Sequence, residues 1–183
     1  MQRLDPTSIG DDYRSQVTVQ AYGSGGRIDG VEFIALRHLM DEGGDFMELI
    51  RLNEHGALAA KPDMKVTQVN YSRVLPGAIK AFHLHFNQED VWFVPPTDRL
   101  LIGLLDVRAG SPTYQQHMRF ILGPGPSRMV YIPRGVAHGA ANLWGQPAQI
   151  MYFVNQHFSL EEPDERRLPW DVCGADFWTI QPG

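Results

Sequence analysis

The sequence predicts an all-β fold, a closed or double-sheet antiparallel architecture built from short strands. Three observations carry that prediction. Apolar runs rich in β-branched and aromatic residues recur at short intervals. The 18 glycines and 13 prolines exceed the roughly 12% share usual for that pair and gather in turn clusters between the runs. No segment longer than about three turns keeps a helical period, and strands do not alternate with helices.

In chain order, the alternation of valine with polar residues at 16–21 predicts a first strand, closed by glycines at 23–26. Apolar segments at 31–36 and 46–52 flank the Glu42-Gly-Gly turn, and 65–73 alternates in strand fashion up to Pro76-Gly77. Strands follow at 79–85 and 91–94, then the turn 95–98 and the continuous apolar run 100–107. After the Gly110-Ser-Pro112 turn come 117–122, the turn 123–127, and strands at 129–132, 139–143 and 149–155. Residues 55–60 and 161–166 are the two places where a short helix is expected.

A chain of 183 residues fits one domain with its own core. An N-terminal arm or strand (1–29), a barrel (30–158) and a C-terminal tail (159–183) are expected. One cysteine, Cys173, rules out an internal disulfide and suits a reducing, cytoplasmic location. The first residues lack the basic and apolar regions of a signal peptide, and no apolar run reaches membrane-spanning length. The net charge of −5 supplies no field for nucleic acid.

Two stretches carry chemistry. In the first, Gly77 precedes His83, His85 and Glu89; in the second, Pro133, Gly135, His138 and Asn142 read P-x-G-x-x-H-x-x-x-N. Residues two apart on a strand share a face, so His83 and His85 converge, with His138 arriving from another strand. Both stretches resemble the two motifs of the cupin superfamily, although the glycines that close the first and open the second are Pro96 and Ser127 here. The resemblance implies a cupin jelly-roll β-barrel, a double-sheet antiparallel sandwich. Three imidazoles and a carboxylate, His83, His85, Glu89 and His138, also suit a divalent transition metal with open coordination positions. Asn87 to Asp90 reads equally well as a polar loop facing water.

Further motifs narrow the resemblance. Asp106-Val-Arg108 with Ser111-Pro-Thr113, Ile132-Pro-Arg-Gly-Val-Ala-His138-Gly139, Met151-Tyr152 and Pro163-Asp-Glu165 to Trp170-Asp171 resemble the dTDP-4-dehydrorhamnose 3,5-epimerase family. That family implies a cofactor-free enzyme, paired as a homodimer, acting on a nucleotide sugar. His83 corresponds to its general base and Tyr152 to the acid on the opposite face of the sugar. A 4-keto group acidifies the adjacent C–H bonds, so an imidazole with a pKa of about 6.5 can take a proton if the enolate is stabilised. Glu48, Gln68, Asn70, Lys80, His138 and His157 correspond to positions around the nucleotide and sugar. Lys80 shares a face with His83 only if a bulge interrupts the strand.

The same correspondence places Gly43 at a diphosphate-binding arginine, Val91 at a lysine and Ile102 at an aspartate supporting the second-motif histidine. It puts the aspartate that orients the base beyond Trp178. Three readings result: a His/Tyr epimerase or isomerase of a nucleotide-linked 4-keto-6-deoxy sugar; a metal-dependent cupin, whether oxygenase, isomerase or sugar-binding module; and a catalytically silent sugar-nucleotide binder. The first two compete for one atom, because a metal on His83 would occupy the lone pair that a base needs.

Overall fold

The computed structural model of the chain describes residues 5–19 and 26–181. After a 3-10 turn at Pro6–Ser8 and a single helical turn at Asp11–Arg14, the strands begin with β1 (Glu32–Ala35), β2 (His38–Asp41), β3 (Gly44–Met47), β4 (Ala57–Leu58) and β5 (Lys61–Lys65). They continue with β6 (Gln68–Val74), β7 (Ile79–Leu84), β8 (Asp90–Phe93), β9 (Leu100–Asp106) and β10 (His117–Leu122). The last are β11 (Arg128–Ile132), β12 (Val136–Ala141), β13 (Ala148–Val154) and β14 (Arg166–Arg167), followed by a 3-10 turn at Ala175–Trp178. No helix among the described residues is long and apolar enough to cross a membrane.

Two five-stranded sheets form the body, one in the order β1-β11-β8-β13-β6 and the other β10-β9-β12-β7-β14. All their pairings are antiparallel. This is the expected double-sheet sandwich. Trp92, Val130 and Ile150 from the first sheet meet Ile102, Leu104 and Ala140 from the second to make the inner core.

Both outer faces are covered too. Val91, Phe93, Met129 and Phe153 lie under Leu58 and Met64 of the β4–β5 hairpin, with Met47 and Leu49 beside them. Phe82, Leu84, Leu101, Ala137 and Ala141 lie under Phe177 and Trp178 of the C-terminal segment. Burial on both faces explains why β8, β9 and β12 read as continuous apolar runs rather than as an alternation.

The expected elements differ from the observed ones in five places. Residues 16–19 form no strand, leaving Val17 and Val19 exposed, while 20 and 21 fall outside the described residues. The segment 46–52 pairs earlier than expected, as a β2–β3 hairpin turning at Asp41–Gly44. The segment 65–73 divides into the end of β5 and most of β6.

The helix expected at 55–60 is a strand hairpin, because Asn53 Oδ1 accepts the amides of His55 at 3.0 Å and Ala57 at 2.9 Å. That side chain offers the backbone a turn in place of helical bonds. At 161–166, the Asp164 carboxylate accepts the amides of Phe86, Asn87 and Gln88, and in place of a helix β14 extends the sheet along β7. The C-terminal tail is therefore an edge strand and a cover for the barrel.

Candidate active site

The side chains singled out by the two motifs meet at one end of the sandwich, in a pocket of about 230 Å³ between the sheets. Its geometry begins with β7. Phe82 and Leu84 point outward into the C-terminal core, so His83 and His85 point inward. Opposite them, β12 pairs His138 with His83 but Ala140 with Lys80. Two residues on β12 thus face three on β7, and the extra residue brings Lys80 onto the pocket face as a bulge requires. Gly139 permits this close passage, since a Cβ there would sit 2.3 Å from Ala81 Cβ.

One group of residues suits proton transfer. His83 Nδ1–H donates to Glu165 Oε1, leaving Nε2 as the nitrogen with a lone pair. This hydrogen bond holds the Glu165 carboxyl below its ordinary value. Tyr152, on β13 of the facing sheet, lines the opposite wall with Trp92 packed edge-on at 5.1 Å. Burial raises the Tyr152 phenol above its ordinary value, opposed by the Ser72 hydroxyl, so the phenol is protonated near neutral pH. Lys80 Nζ donates to the same Ser72 Oγ at 3.1 Å.

A second group lies deeper. His85, Asp90 and His138 are 5%, 3% and 2% exposed, and one ligand-type atom from each lies within 4.8 Å of the others. His85 Nε2 stands 3.6 Å and His138 Nε2 3.9 Å from Asp90 Oδ2. His85 Nδ1–H donates to the Asp164 carbonyl at 2.5 Å, and His138 Nδ1–H to the Val136 carbonyl at 2.9 Å. Burial lowers the His138 imidazole to a pKa of about 3, so it is neutral. Burial likewise pushes the Asp90 carboxyl up, against the pull of His85 and Gln88. Trp92 Nε1, in the same wall, is buried near the Asp90 carboxyl with no closer hydrogen-bond partner among the described residues.

The expected residues divide accordingly. His83, His85, His138, Asn70, Lys80 and Tyr152 all line the pocket. Glu89 does not. It precedes β8 with the opposite orientation, facing Arg134 at 3.6 Å and Asn155 at 3.3 Å, and Asp90 takes the carboxylate's place. A shift of one residue exchanges the faces of a strand. Val91 points into the outer core for the same reason, so the β8 side chains that meet the pocket are Asp90 and Trp92.

Gln68 stands behind Asn70, donating to its Oδ1 at 2.6 Å and accepting from the Phe158 amide at 3.0 Å. His157 lines an adjoining cleft that shares His85, Gln88 and Glu165 with the pocket. Glu48 lies in a separate cleft, paired with Arg51 at 2.7 Å. Lys80 is the sole lysine or arginine lining the pocket among the described residues.

The pocket carboxylates that the sequence does not reveal are Asp90, beside the expected Glu89, and Glu165, which lies within the Pro163-Asp-Glu165 motif. The position of Glu165 after the barrel gave no sign that the tail folds back along β7. Ile102 is buried in the inner core and offers His138 nothing; the Val136 carbonyl holds that imidazole instead.

Residues 26–176 match the sequence model of a family described as dTDP-4-dehydrorhamnose 3,5-epimerase. The spore coat polysaccharide biosynthesis protein SpsL of Bacillus subtilis is 37% identical over 148 residues, 79% of this chain and 91% of that protein. The probable low-salt glycan biosynthesis epimerase Agl13 of Haloferax volcanii is 28% identical over 144 residues, covering 79% and 89%. Among solved structures, the dTDP-6-deoxy-D-glucose-3,5-epimerase of Legionella pneumophila, in complex with dTDP-4-keto-L-rhamnose, superposes with a TM-score of 0.70 at 25% identity, covering 86% of this chain and 83% of that one.

Proposed function

The chain belongs to the dTDP-4-dehydrorhamnose 3,5-epimerase family, and on that premise we propose that it epimerises or isomerises a nucleotide-linked 4-keto-6-deoxy sugar. The observation that carries this reading is the pairing of His83 with Glu165 on one wall and a protonated Tyr152 on the other. His83 Nε2 takes the proton from a carbon beside the keto group, and the electron pair of the broken C–H bond moves onto the keto oxygen. The enolate collapses as Tyr152 delivers its phenolic proton to the opposite face, which inverts the centre. Solvent then restores both groups. Glu165 keeps the imidazole in the tautomer this requires and stabilises the imidazolium once formed.

At about 230 Å³ the pocket has room for a sugar ring and would leave the nucleotide diphosphate outside, where Lys80 and Asn70 on the wall suit its polar approach. The catalytically silent reading rests on a missing diphosphate-binding arginine and a missing orienting carboxylate, and Glu165 supplies the second of these. The chain is further proposed to be a cytoplasmic homodimer. Exposed Phe33 on β1 and Val69 and Tyr71 on β6 offer apolar edges for a second copy on one sheet. Sedimentation at micromolar concentration is expected to give twice the chain mass.

The test of the reaction is exchange in D2O with nucleotide-linked 4-keto-6-deoxy sugars, followed by mass spectrometry. Deuterium should enter next to the keto group, and His83→Ala should stop it. Exchange by that variant at the wild-type rate would sink the assignment of the base.

A further inference from the structure

We propose that His85, Asp90 and His138 bind one divalent transition ion of the zinc class, separate from His83. The argument starts from the direction of the lone pairs. Both imidazoles spend their Nδ1–H groups on backbone carbonyls, so both Nε2 atoms are acceptors, and both face Asp90 Oδ2. A histidine whose far nitrogen is held by a carbonyl is the arrangement that orients metal ligands.

The acceptors converge without a protein cation among them. Among the described residues no lysine or arginine pairs with Asp90, which is 3% exposed. The donors near it are neutral, the Trp92 indole and the Gln88 amide, whose Nε2 lies 3.3 Å from His85 Nε2 and 3.3 and 3.4 Å from the two Asp90 oxygens. One amide group thus spans three acceptor atoms at long distance. A cation would neutralise the carboxylate and satisfy both nitrogens, leaving the Gln88 amide to donate to the second Asp90 oxygen.

The donor set selects the ion. Two imidazoles and one carboxylate with an open position suit zinc or cobalt better than calcium or magnesium, which take more oxygen ligands. Zinc ligands at about 2.0–2.1 Å in tetrahedral array stand about 3.3–3.4 Å apart, so the separations of 3.6 and 3.9 Å to Asp90, with all three ligand atoms within 4.8 Å of one another, would close by side-chain rotation.

His83 is outside this group, tied to Glu165. A metal and a free base therefore coexist in one pocket, and the two readings of the motif no longer compete for the same nitrogen. His85, Asp90 and His138 all line the pocket, so an ion held by them would be within reach of the keto oxygen and could carry the charge that develops there. That role, unlike the binding itself, rests on the epimerase reading.

The test is a titration of the chelator-treated full chain with zinc by calorimetry and with cobalt by visible absorption. One ion per chain is expected, with a tetrahedral cobalt spectrum, and His83→Ala should keep both. His85→Ala and the isosteric Asp90→Asn should each weaken binding at least 100-fold, Asp90→Asn guarding against loss of fold in the other variant. Absence of saturable binding to wild type would overturn the proposal. So would wild-type affinity in Asp90→Asn, or loss of the ion in His83→Ala. Binding without any change in deuterium exchange between metal-loaded and stripped protein would leave the site standing and remove its role at the keto oxygen.

Discussion

Glu165 fixes what His83 can do. Without a partner on Nδ1 the ring divides its proton between two nitrogens and turns freely, so Glu165→Gln is expected to lower kcat about 10²- to 10⁴-fold. KM should change little, because Glu165 acts through the imidazole. Steady-state kinetics with that variant check both statements. Tyr152→Phe keeps the ring and its contact with Trp92 but removes the proton, so it should slow inversion more than it slows exchange of the proton taken by His83. Comparing product formation with deuterium uptake separates the two. At this scale the sequence was legible where spacing sufficed: His83, His85 and His138 converge as their motifs require. It was not legible where orientation mattered. Glu89 and Asp90 are neighbours of like chemistry, and only the onset of β8 decides which one enters the pocket.

Gly139 shows how an element shapes the site without touching the reaction. Its hydrogen leaves room for the bulge of β7, and Gly139→Ala drives a methyl to 2.3 Å from Ala81 Cβ. The strand must move, carrying Lys80 and His83 with it. A loss of about 1–3 kcal/mol is expected from the overpacking, with a fall in kcat, measurable by urea unfolding beside an activity assay. The end of β9 makes a different demand. Asp106 accepts hydrogen bonds from Arg108 Nε at 2.8 Å, Arg108 Nη2 at 2.8 Å and Thr113 Oγ1 at 2.7 Å, with Ser111 Oγ at 2.5 Å. Burial pushes its carboxyl up, but these bonds outweigh burial and hold it well below the ordinary range. The Asp-Val-Arg and Ser-Pro-Thr motifs thus build a loop and contribute no side chain to the pocket wall.

Because the folded carboxyl releases its proton more readily than the unfolded one, the unfolded chain binds that proton first as pH falls below about 4. The contribution of Asp106 to stability is complete above that pH and declines below it. Asp106→Ala is expected to cost about 3 kcal/mol at pH 7 and progressively less in acid, as urea unfolding at several pH values would show. Strands with β-branched runs were legible to within a few residues. The β2–β3 and β4–β5 hairpins were not, since β2 and β4 are too short and too poor in β-branched residues to show a strand period, and the entry to β4 depends on a turn set by Asn53.

At the scale of the whole molecule, three apolar layers hold two sheets, and the last layer comes from the C-terminal segment. Trp178 is 2% exposed, packs on Phe82 with ring centres 5.3 Å apart, and donates its indole N–H to the Trp170 carbonyl at 2.8 Å. Phe82 is the neighbour of His83, so this layer also backs the base. Trp178→Ala is expected to cost about 3–5 kcal/mol, read from the urea midpoint. The continuous apolar runs made the covered sheets legible, but not what covered them, because the tail reads as a polar segment with scattered aromatics.

Glu165 follows His83 by 82 residues, and the two meet only because the tail returns along β7. During synthesis His83 leaves the ribosome well before Glu165, so its ring has no carboxylate on Nδ1 until the segment that returns along β7 has followed. The orientation of the base and the cover on that sheet thus arrive together.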